Sequence, residues 1–380
     1  MKNIKPRILL VGGGSGGHVY PLVAVANALI RKTQESGVNL EMRLWGDGDF
    51  LKKAGEDANL KPVKIIAGKL RRYFSLLNIL DFFKSIVGFI QAMWLMYWYM
   101  PDMVFTKGGY VSVMPAIAAK LYMIPVFIHE SDSTPGLANR IISKISNTIF
   151  ISFASSAKYF DSTKVQLVGN PIRSDIVGAD RTASMANFNL DANKRTILVL
   201  GGSQGAKNIN DLILNSLVQL VEKYQIIHQS GDNQYGQVKT EVEKYQKEGE
   251  SSYGGLIASN YKLYPFLNKD ELRSAYSAAD IIISRGGSGL LFEIAAAGKP
   301  AIIIPLSKEA SRGDQIDNAA EFLGYGAVIL EEGNLTPHIL ISQIEHLLKP
   351  ENYASVSEKI RSFAKPDAAD KIAETLWSGL

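Results

Sequence analysis

A chain of 380 residues is long enough for two domains, and its 46% hydrophobic and 21% charged residues are typical of a globular protein. The net charge of +4 is too small to indicate a nucleic-acid partner, so none is predicted. The absence of cysteine excludes disulfides, thiolate metal ligands and cysteine nucleophiles. The first apolar run, residues 8–11, is far shorter than the core of a signal peptide, and none is expected.

Strands and glycine turns alternate along the first half of the chain. Short apolar runs predict strands at 7–11, 40–45, 102–106, 125–129, 149–153 and 165–168. A helix is predicted at 21–31, soon after the first glycine turn. This alternation of strand, turn and helix is typical of a parallel sheet with helices on both faces.

The same alternation begins again in the second half. Its predicted strands are 195–200, 225–228, 280–284 and 301–305. We therefore predict an α/β protein with two doubly wound, Rossmann-like parallel-sheet domains. The run Gly169-Asn170-Pro171-Ile172-Arg173 marks the join and divides the chain into domains of residues 1–172 and 173–354. A C-terminal helix at about 355–380, interrupted at Pro366, is expected to pack back on the first domain.

The first glycine turn, Gly12-Gly13-Gly14-Ser15-Gly16-Gly17, is followed at once by His18. Glycines permit positive φ values and let a backbone approach a ligand closely, and a helix start presents amides to an anion. The spacing of Gly12, Gly14 and Gly17 matches the dinucleotide-binding pattern, which by itself is weak evidence. Asp47, near the end of the second predicted strand, keeps a nicotinamide dehydrogenase open as an alternative.

Two further glycine turns, 201–205 and 285–289, follow buried strands of the second half. Two helix starts side by side at one sheet edge suit a pyrophosphate, and neither turn has the lysine of a Walker A loop. Glu293, on the helix after the second of these turns, is placed to accept hydrogen bonds from ribose hydroxyls, or is simply solvated. The sequence therefore predicts a sugar nucleotide on the second domain and an acceptor on the first, with a cleft between them.

Residues 75–100 form a mostly apolar segment that is uncharged from Ser85 to Met100 and rich in Trp and Tyr. Small or polar residues recur at helical spacing and predict one narrow wet stripe, formed by Asn78, Asp81, Lys84, Gly88 and Gln91. Basic residues lie just upstream, namely Lys64, Lys69, Arg71 and Arg72. Such a segment suits a helix lying in a bilayer interface. A buried helix is the main alternative, and a membrane span fits less well because a strand follows Pro101 directly.

Five motifs, in order along the chain, resemble those of the MurG family: GGGSGGHVYP, GGYVSVMPAIAA, GNPIR, GGSQGAKNIN and SRGGSGLLFEIAAAGKP. The resemblance implies a GT-B fold, two Rossmann-like domains with an interdomain cleft. It implies inverting transfer of N-acetylglucosamine from UDP-N-acetylglucosamine (UDP-GlcNAc) to lipid I, the undecaprenyl-pyrophosphoryl-N-acetylmuramyl-pentapeptide, which gives lipid II for peptidoglycan. It further implies no metal and no cofactor, and a peripheral place on the cytoplasmic face of the bacterial plasma membrane.

The resemblance also implies which residues bind the donor. They are Ser15, Gly16, Gly17, Arg173, Ser203, Gln204, Leu267, Glu293, Asp314, Gln315 and Asn318. Ser203 and Gln204 would lie beside the diphosphate, a main-chain contact from Leu267 would reach uracil, and Glu293 would bind the ribose. Asp314 stands where the family often has a glutamine, and its carboxylate can still bind sugar hydroxyls.

Glycosyl transfer requires the acceptor hydroxyl to lose a proton, and an imidazole is suited to removing it. We interpret His18, at a helix start, as this base, with a mere capping role as the alternative. Glu130 and Asp132 are further catalytic candidates, because Asp132 could orient His18 and Glu130 could itself be the base. Asp132 departs from the asparagine of the family's HEQN motif.

The predicted acceptor-binding residues are Gly14, Lys107, Gly108, Gly109, Tyr110 and His129. The turn at 107–109 would bind the acceptor pyrophosphate at its helix start, with Lys107 adding positive charge. A buried structural role is the alternative for His129.

Other activities remain open at this point. A UDP-GlcNAc 2-epimerase on the same fold would need no lipid-docking surface, and a dehydrogenase would bind NAD instead of UDP. A glycolipid transferase with a diacylglycerol acceptor is disfavoured by the GGYVS and HES motifs. Nothing in the sequence favours a non-catalytic sensor of UDP-sugars at the membrane.

Overall fold

The computed structural model describes residues 5–14, 16–48, 50–68, 77–173, 175–202, 205–248, 253–308, 311 and 313–380. The chain divides into two compact units. The first unit comprises Met1–Arg173 and Lys365–Leu380, and the second comprises Ser174–Ala364. Each unit contains one parallel sheet.

Seven parallel strands form the sheet in the described part of the first unit. They are β1 Arg7–Val11, β2 Glu41–Gly46, β3 Pro62–Lys64, β4 Met103–Thr106, β5 Val126–Glu130, β6 Thr148–Ile151 and β7 Val165–Leu167. Their order is β3-β2-β1-β4-β5-β6-β7, so β1 pairs with β2 on one side and with β4 on the other. The turns after β1 and β4 are therefore neighbours at a switch point, where doubly wound sheets bind ligands.

Both faces of the first sheet are covered by helices. Helices α1 Gly16–Ser36 and α2 Phe50–Asp57 pack on one face, and α3 Leu77–Tyr99, α4 Val113–Leu121 and α5 Leu137–Ser143 pack on the other. Within β1, Ile8 and Leu10 point to the first core, while Leu9 and Val11 point to the second. This is why the strand reads as an unbroken apolar run in the sequence.

Helix α3 buries part of the stripe that we expected to be wet. Asp81 is only 7% exposed, and Gly88, Ala92 and Met96 are buried along the same side of the helix. A Cβ on Gly88 would lie 1.9 Å from the carbonyl oxygen of Ile66, so the glycine lets the segment 65–68 pack directly on the helix. The prediction of a wet polar stripe is therefore wrong at Asp81 and Gly88, whereas Lys84 is exposed as expected.

A side-chain amide explains how a polar stripe can be buried. Gln91 donates from Nε2 to the carbonyl oxygen of Lys64 at 3.0 Å and accepts at Oε1 from the N–H of Ile66 at 2.8 Å. The wide apolar face of α3 is exposed instead, through Ile79, Leu80, Phe82, Phe83, Ile86, Val87, Ile90, Trp94, Tyr97 and Trp98. Helical spacing identified the residues that share a face, but the packing of the segment 64–68 decided which face is buried.

The second unit repeats the arrangement with six parallel strands among its described residues. They are β8 Arg195–Leu200, β9 Tyr224–Gln229, β10 Tyr261–Tyr264, β11 Ile281–Ser284, β12 Ala301–Ile303 and β13 Val328–Ile329. In the order β10-β9-β8-β11-β12-β13, strand β8 takes the central place that β1 has in the first sheet. The turns after β8 and β11 are thus neighbours. The predicted fold class, α/β with two doubly wound parallel sheets, is confirmed.

Helices flank the second sheet as well. They are α6 Arg181–Asn187, α7 Lys207–Lys223, α8 Asp232–Glu248, α9 Gly254–Asn260, α10 Lys269–Ala278, α11 Ser288–Ala297, α12 Asp314–Leu323 and α13 Pro337–Leu348.

The C-terminal segment forms two helices that belong to different units. Helix α14 Pro350–Phe363 stays in the second unit, where Phe363 packs on Phe292 with ring centroids 4.6 Å apart. Helix α15 Ala368–Ser378 belongs to the first unit, where Asp370 pairs with Arg31 of α1 at 2.6 Å. The expected helix at 355–380 thus ends before Pro366, and only the part after it packs on the first unit.

Candidate functional site

The glycines after β1 allow the backbone to pack against the loop that follows β2. Gly14 has a φ of +88°, and its N–H donates to the carbonyl oxygen of Asp47 at 2.9 Å. A Cβ on Gly13 would lie 2.4 Å from the same oxygen, so no side chain fits there. Ser15 lies outside the described residues, and Gly16 and Gly17 form the first turn of α1. The backbone of this helix start is thus held in place from the β2 side.

His18 lies in the first turn of α1 and is partly exposed. Its Nδ1 lies 3.2 Å from the carbonyl oxygen of Lys107. Because a carbonyl oxygen only accepts hydrogen bonds, this contact favours the neutral tautomer with hydrogen on Nδ1 and the lone pair on Nε2. A Cβ on Gly109 would lie 3.8 Å from Nε2, so the basic nitrogen lies beside the turn after β4. The structure thus brings His18 and this turn together.

Gly108 and Gly109 are conformationally required in the turn after β4. Their φ values are +82° and +81°, and a Cβ on Gly108 would lie 1.7 Å from Oδ1 of Asn139. Tyr110 then begins a short 3-10 helix, and a Cβ on Gly14 would lie 3.3 Å from its ring. Burial, together with Asp47, raises the pKa of the Tyr110 hydroxyl. Four predicted acceptor-binding residues, Gly14, Gly108, Gly109 and Tyr110, therefore lie together.

Lys107 does not present its charge to the surface as we expected. It is completely buried, and its Nζ contacts Nδ1 of His129, Oγ of Ser131 and, at 3.0 Å, Oδ1 of Asn170. Burial lowers the pKa of Lys107 to about 7. Its side chain therefore ties the turn after β4 to the HES segment and to the GNPIR segment, and does not reach out to a ligand in this structure.

His129 is a buried structural partner of Lys107 in this structure. Its Nε2 lies 2.8 Å from the carbonyl oxygen of Gly169, so this nitrogen donates and Nδ1 accepts from Lys107. Burial, with Lys107 beside it, lowers the pKa of His129 well below the usual value. The geometry matches the structural alternative considered for this residue.

Glu130 is also buried, at 2% exposure, and both of its carboxylate oxygens accept hydrogen bonds. Oε1 accepts from the N–H of Asp132 at 2.9 Å, and Oε2 accepts from Nδ2 of Asn139 at 2.8 Å. Burial, reinforced by the charge of Asp132, raises the pKa of Glu130 to about 7. Glu130 thereby links the Asp132 main chain to Asn139, which packs under Gly108. Nδ1 of His18 donates to the main-chain carbonyl oxygen of Lys107, and a role of Asp132 in orienting His18 stays a prediction.

In the second unit, the turn after β8 is described at Gly201, Gly202 and Gly205. Gly202 has a φ of +79°, and a Cβ placed there would meet no atom within 4 Å among the described residues. Gly205, with a φ of +83°, packs against the carbonyl oxygen of Ser230. Ser203 and Gln204 lie outside the described residues. Among the described residues, the space beside Gly202 is therefore open, while Gly205 is held by the end of β9.

Leu267 lies in the loop after β10 and is 1% exposed. Its N–H donates to Oε1 of Gln229 at 3.0 Å, while Nε2 of Gln229 donates to the carbonyl oxygen of Gly202 at 3.3 Å. The predicted main-chain contact of Leu267 with uracil therefore cannot use this N–H while Gln229 holds it. The sequence reasoning missed Gln229, because nothing in its spacing indicates contacts to two separate loops.

Glu293 lies on α11, which begins at Ser288 after the glycine turn. It is partly buried, and its Oε2 accepts a hydrogen bond from the Tyr276 hydroxyl at 2.9 Å. Tyr276 itself is 1% exposed. The carboxylate is therefore oriented by a buried neighbour, which fits a binding role better than that of a solvated helix residue.

Residues 313–319, with the sequence GDQIDNA, form the N-cap and the start of α12, and the three donor-binding residues predicted there differ in accessibility. Asp314 and Gln315 are partly buried, and Oε1 of Gln315 accepts from the N–H of Leu306 at 3.2 Å. Asn318 is completely buried, and its Nδ2 donates to the carbonyl oxygen of Gly286 at 3.4 Å. We expected Asn318 to contact the sugar directly, whereas in this structure it supports the glycine turn that precedes α11.

A buried ion pair next to this turn was not predicted. Nη1 of Arg285 lies 2.6 Å from Oε1 of Glu332, and both side chains are about nine-tenths buried. The same carboxylate accepts from Nδ2 of Asn208 and from the N–H of Ser307. Hydrogen bonds from Arg285 and Ser307 lower the pKa of Glu332 although burial opposes this shift. The pair joins the ends of β11 and β12 to the start of α7.

His228, which had no predicted partner, belongs to a buried network in the second unit. Its Nδ1 accepts from the Tyr261 hydroxyl at 2.6 Å and its Nε2 donates to Oδ1 of Asn210 at 3.0 Å. Burial lowers the pKa of His228 to about 3, so the ring is neutral near physiological pH.

Arg173 is the last residue of the first unit and is partly buried. Its contact with the donor nucleotide stays a prediction. In the described ranges, no three His, Asp or Glu side chains lie close enough together to hold a metal ion.

Two family profiles match successive parts of the chain. Residues 8–151 match the glycosyltransferase family 28 N-terminal domain, and residues 196–372 match the glycosyltransferase family 28 C-terminal domain. Together with the two parallel-sheet units, these matches define a GT-B glycosyltransferase that uses a sugar nucleotide, a hexosyltransferase.

Curated relatives narrow this class. The chain is 38% identical over 372 residues to the UDP-N-acetylglucosamine–N-acetylmuramyl-(pentapeptide) pyrophosphoryl-undecaprenol N-acetylglucosamine transferase of Treponema denticola, covering 95% of this chain and 93% of the relative. It is 36% identical over 368 residues to the protein of the same name from Clostridium kluyveri, covering 96% and 97%. The chain belongs to the family of these transferases, the MurG family.

Solved structures share the fold. MurG of Acinetobacter baumannii superimposes with a TM-score of 0.72 at 24% identity, covering 98% of this chain and 99% of that chain. A UDP-GlcNAc 2-epimerase from Neisseria meningitidis superimposes with a TM-score of 0.66 at 17% identity, covering 98% and 100%. At these identities the likeness concerns the fold alone, and the sequence relatives decide the family.

Proposed function

We propose that this chain transfers N-acetylglucosamine from UDP-GlcNAc to lipid I and forms lipid II with inversion at the anomeric carbon. Relatives at 36–38% identity over nearly the whole chain carry the name of this activity. The observation that carries the proposal is that each unit sets two glycine turns side by side at the carboxyl edge of its sheet. Donor and acceptor each bear a pyrophosphate, and each pair of helix starts suits one of them.

The second unit binds the donor in this proposal. The turn at Gly202, with Ser203 and Gln204, and the start of α11 hold the diphosphate. The loop at Leu267 cradles uracil, and Glu293 binds the ribose with one oxygen held by Tyr276. The remaining donor contacts are those of Arg173, Asp314 and Gln315, with Ser15, Gly16 and Gly17 near the sugar and Asn318 acting through the turn before α11.

The first unit binds the acceptor and moves the proton. The turns at Gly14 and at Gly108–Gly109, with Tyr110, hold the acceptor pyrophosphate. The buried side chains of Lys107 and His129 hold the second of these turns in place. Glu130 and Asp132 hold the same turn through Asn139. Because both oxygens of Glu130 accept internal hydrogen bonds, we assign it a supporting role and keep His18 as the base.

The chemistry follows from the orientation of His18. The hydroxyl of the muramyl sugar attacks C1 of the N-acetylglucosamine as the bond from C1 to the β-phosphate oxygen breaks, and UDP leaves with the electron pair. Nε2 of His18 receives the hydroxyl proton. The contact of Nδ1 with the carbonyl oxygen of Lys107 stabilises the ring in both states, because Nδ1 carries hydrogen before and after the transfer.

Helix α3 docks on the cytoplasmic face of the plasma membrane in this proposal, as the undecaprenyl tail of the acceptor requires. Residues 79–99 are long and apolar enough to cross a bilayer, which by itself is weak evidence. Gln91 and Tyr99, however, hydrogen-bond to other segments of the first unit, Tyr99 through its hydroxyl to the carbonyl oxygen of Ile8 at 3.2 Å. A helix held on one side and exposing Trp94 and Trp98 on the other suits an interface better than a span.

Labelled UDP-GlcNAc and a lipid I analogue test the activity on the purified protein. We expect the label to move to the acceptor, with UDP as the second product. Conversion of the sugar to its 2-epimer without transfer would replace this proposal with an epimerase.

Sedimentation with anionic phospholipid vesicles tests the docking separately. We expect the double variant Trp94→Ser/Trp98→Ser to leave the vesicle fraction, while transfer to a short-chain soluble acceptor is unchanged. Leu323→Ser removes an exposed apolar side chain from the second unit and serves as the control. Equal sedimentation of wild type and double variant would reject α3 as the docking surface.

A further inference from the structure

Gln229, the last residue of β9, bridges two loops of the second unit with one side-chain amide. Its Oε1 accepts from the N–H of Leu267 at 3.0 Å, and its Nε2 donates to the carbonyl oxygen of Gly202 at 3.3 Å. The partners fix the orientation of the amide, because a main-chain N–H can only donate and a carbonyl oxygen can only accept. Gln229 is 6% exposed, so these bonds are shielded from water.

Main-chain contacts around Gln229 make the bridge part of a continuous link. The N–H of Gly201 donates to the carbonyl oxygen of Gln229 at 3.4 Å, and the N–H of Ser230 donates to the carbonyl oxygen of Tyr264 at 3.0 Å. A Cβ on Gly205 would lie 2.5 Å from the carbonyl oxygen of Ser230. The end of β9 is therefore packed between the turn after β8 and the loop after β10.

We propose that Gln229 is a positioning residue that sets the distance between the diphosphate-binding turn and the uracil-binding loop, which rests on the proposed function of these two loops. A nucleoside diphosphate must contact both loops at once, so its affinity depends on their spacing. A glutamine suits this place because it can donate and accept at the same time, whereas a carboxylate can only accept and an apolar side chain does neither.

The variant Gln229→Glu keeps one of the two hydrogen bonds of the bridge and removes the other. The introduced carboxylate still accepts from the N–H of Leu267 but faces the carbonyl oxygen of Gly202 without a hydrogen to donate. We expect calorimetry to show an affinity for UDP that falls about tenfold, since the partly buried carbonyl of Gly202 loses its donor. Affinity for uridine, measured by NMR titration, should stay near that of the wild type, because the loop after β10 keeps its bond.

The variant Gln229→Met removes both bonds and should weaken uridine and UDP alike. Gln225 offers a matched control in the same strand, because its amide accepts from the N–H of Asp191 at 2.6 Å and donates to the carbonyl oxygen of Asp191 at 2.9 Å. It lies at the amino end of β9, away from the ligand turns. Gln225→Glu should cost stability as Gln229→Glu does, yet leave the ratio of UDP to uridine affinity unchanged.

Protonation gives a second readout in Gln229→Glu. Burial raises the pKa of a carboxyl group at such a position, and the protonated form can again donate to the carbonyl oxygen of Gly202. The loss of UDP affinity relative to the wild type should therefore grow as the pH rises. The melting temperatures of both Glu variants are measured as a control. They distinguish a change in ligand affinity from a loss of folded protein.

The outcomes separate this inference from the function on which it rests. Failure of the wild type to bind UDP would overturn the proposed function together with the role of Gln229. Binding of UDP by the wild type, with an unchanged ratio of UDP to uridine affinity in Gln229→Glu, would overturn the role of Gln229 alone. Equal losses of UDP and uridine affinity in that variant would reduce Gln229 to general support of the unit.

Discussion

In the first unit, buried ionisable side chains support a turn at the switch point. In the second unit, neutral side-chain amides support the two glycine turns at the carboxyl edge of the sheet. Lys107, His129 and Glu130 support the turn after β4. Gln229 supports the turn after β8, and Asn318 supports the turn after β11. The two units therefore share a fold but support these turns with different side chains, apart from the buried pair of Arg285 and Glu332 in the second unit.

This difference matches the two tasks that we assign to the units. In our proposal, His18 removes the proton at a turn supported by Lys107 and Glu130, and burial shifts the pKa of each of these two groups to about 7. Binding of a diphosphate by main-chain amides requires only a fixed backbone, and neutral supports provide it at any ordinary pH. His228, with its pKa lowered to about 3, fits this reading because the ring stays neutral.

The largest effect that separates the units is expected for His18→Ala. Turnover should fall about 10²–10⁴-fold, because the acceptor hydroxyl loses its base. UDP affinity should stay near that of the wild type, since the donor is held by the second unit. Steady-state kinetics with the lipid I analogue, together with UDP calorimetry, measure both quantities.

The exposed His338, on α13 of the second unit, provides the control for this variant. His338→Ala should leave turnover and UDP affinity unchanged. A loss below tenfold in His18→Ala would assign His18 to the scaffold and leave the proton without an identified acceptor.

The pH dependence of the free energy of unfolding tests whether the buried carboxyl group of Glu130 supports the first unit. Folding raises the pKa of Glu130 from 4.5 to about 7, so the folded state binds more protons than the unfolded state between these values. The free energy of unfolding of the wild type should therefore fall as the pH rises through this window, relative to Glu130→Gln. Urea titrations at pH 5 and pH 7 should differ in this comparison by about 1–3 kcal/mol.

Two features make Glu130→Gln a usable probe. Asn139 can turn its amide so that Oδ1, which makes no hydrogen bond in the described structure, accepts from the new side chain. Burial lowers the pKa of Lys107 to about 7, so its own titration opposes the Glu130 slope only at the upper end of the window. The exposed Glu358→Gln is the control, and parallel pH profiles for wild type and Glu130→Gln would contradict the assignment.

The smallest effect is expected in the second unit for Tyr276→Phe. The variant removes the hydrogen bond to Oε2 of Glu293 without changing the ring. One lost hydrogen bond of about 1 kcal/mol predicts a rise of several-fold in the KM for UDP-GlcNAc, with kcat nearly unchanged. Tyr325→Phe, on a ring packed against Phe363, should change neither value. An equal fall in kcat would place Tyr276 closer to the reacting atoms than we propose.

Local sequence rules predicted most of what depends on short segments. The glycine turns at Gly14, Gly108, Gly202 and Gly205 take positive φ values, as such turns require. The buried strands were predicted from their apolar runs, whereas β3, β10 and β13 were missed. Strands of two to four residues, in part lacking an apolar run, leave too little pattern to detect.

Contacts between distant segments could not be predicted from local patterns. Lys107 was expected to add positive charge for the acceptor pyrophosphate, whereas its side chain contacts His129, Ser131 and Asn170, which come from elsewhere in the chain. The orientation of α3 depended in the same way on the segment 64–68. Asn318 was assigned to the sugar by resemblance, while its burial follows from the packing of α12 on the turn at Gly286.

A crystal structure with UDP tests the division of labour between the units most directly. We predict UDP on the second unit, with its diphosphate at the turn from Gly202 to Gly205 and its uracil at Leu267. The ribose should lie within hydrogen-bonding distance of Glu293. UDP bound at the turn between Gly12 and His18 of the first unit would contradict the account.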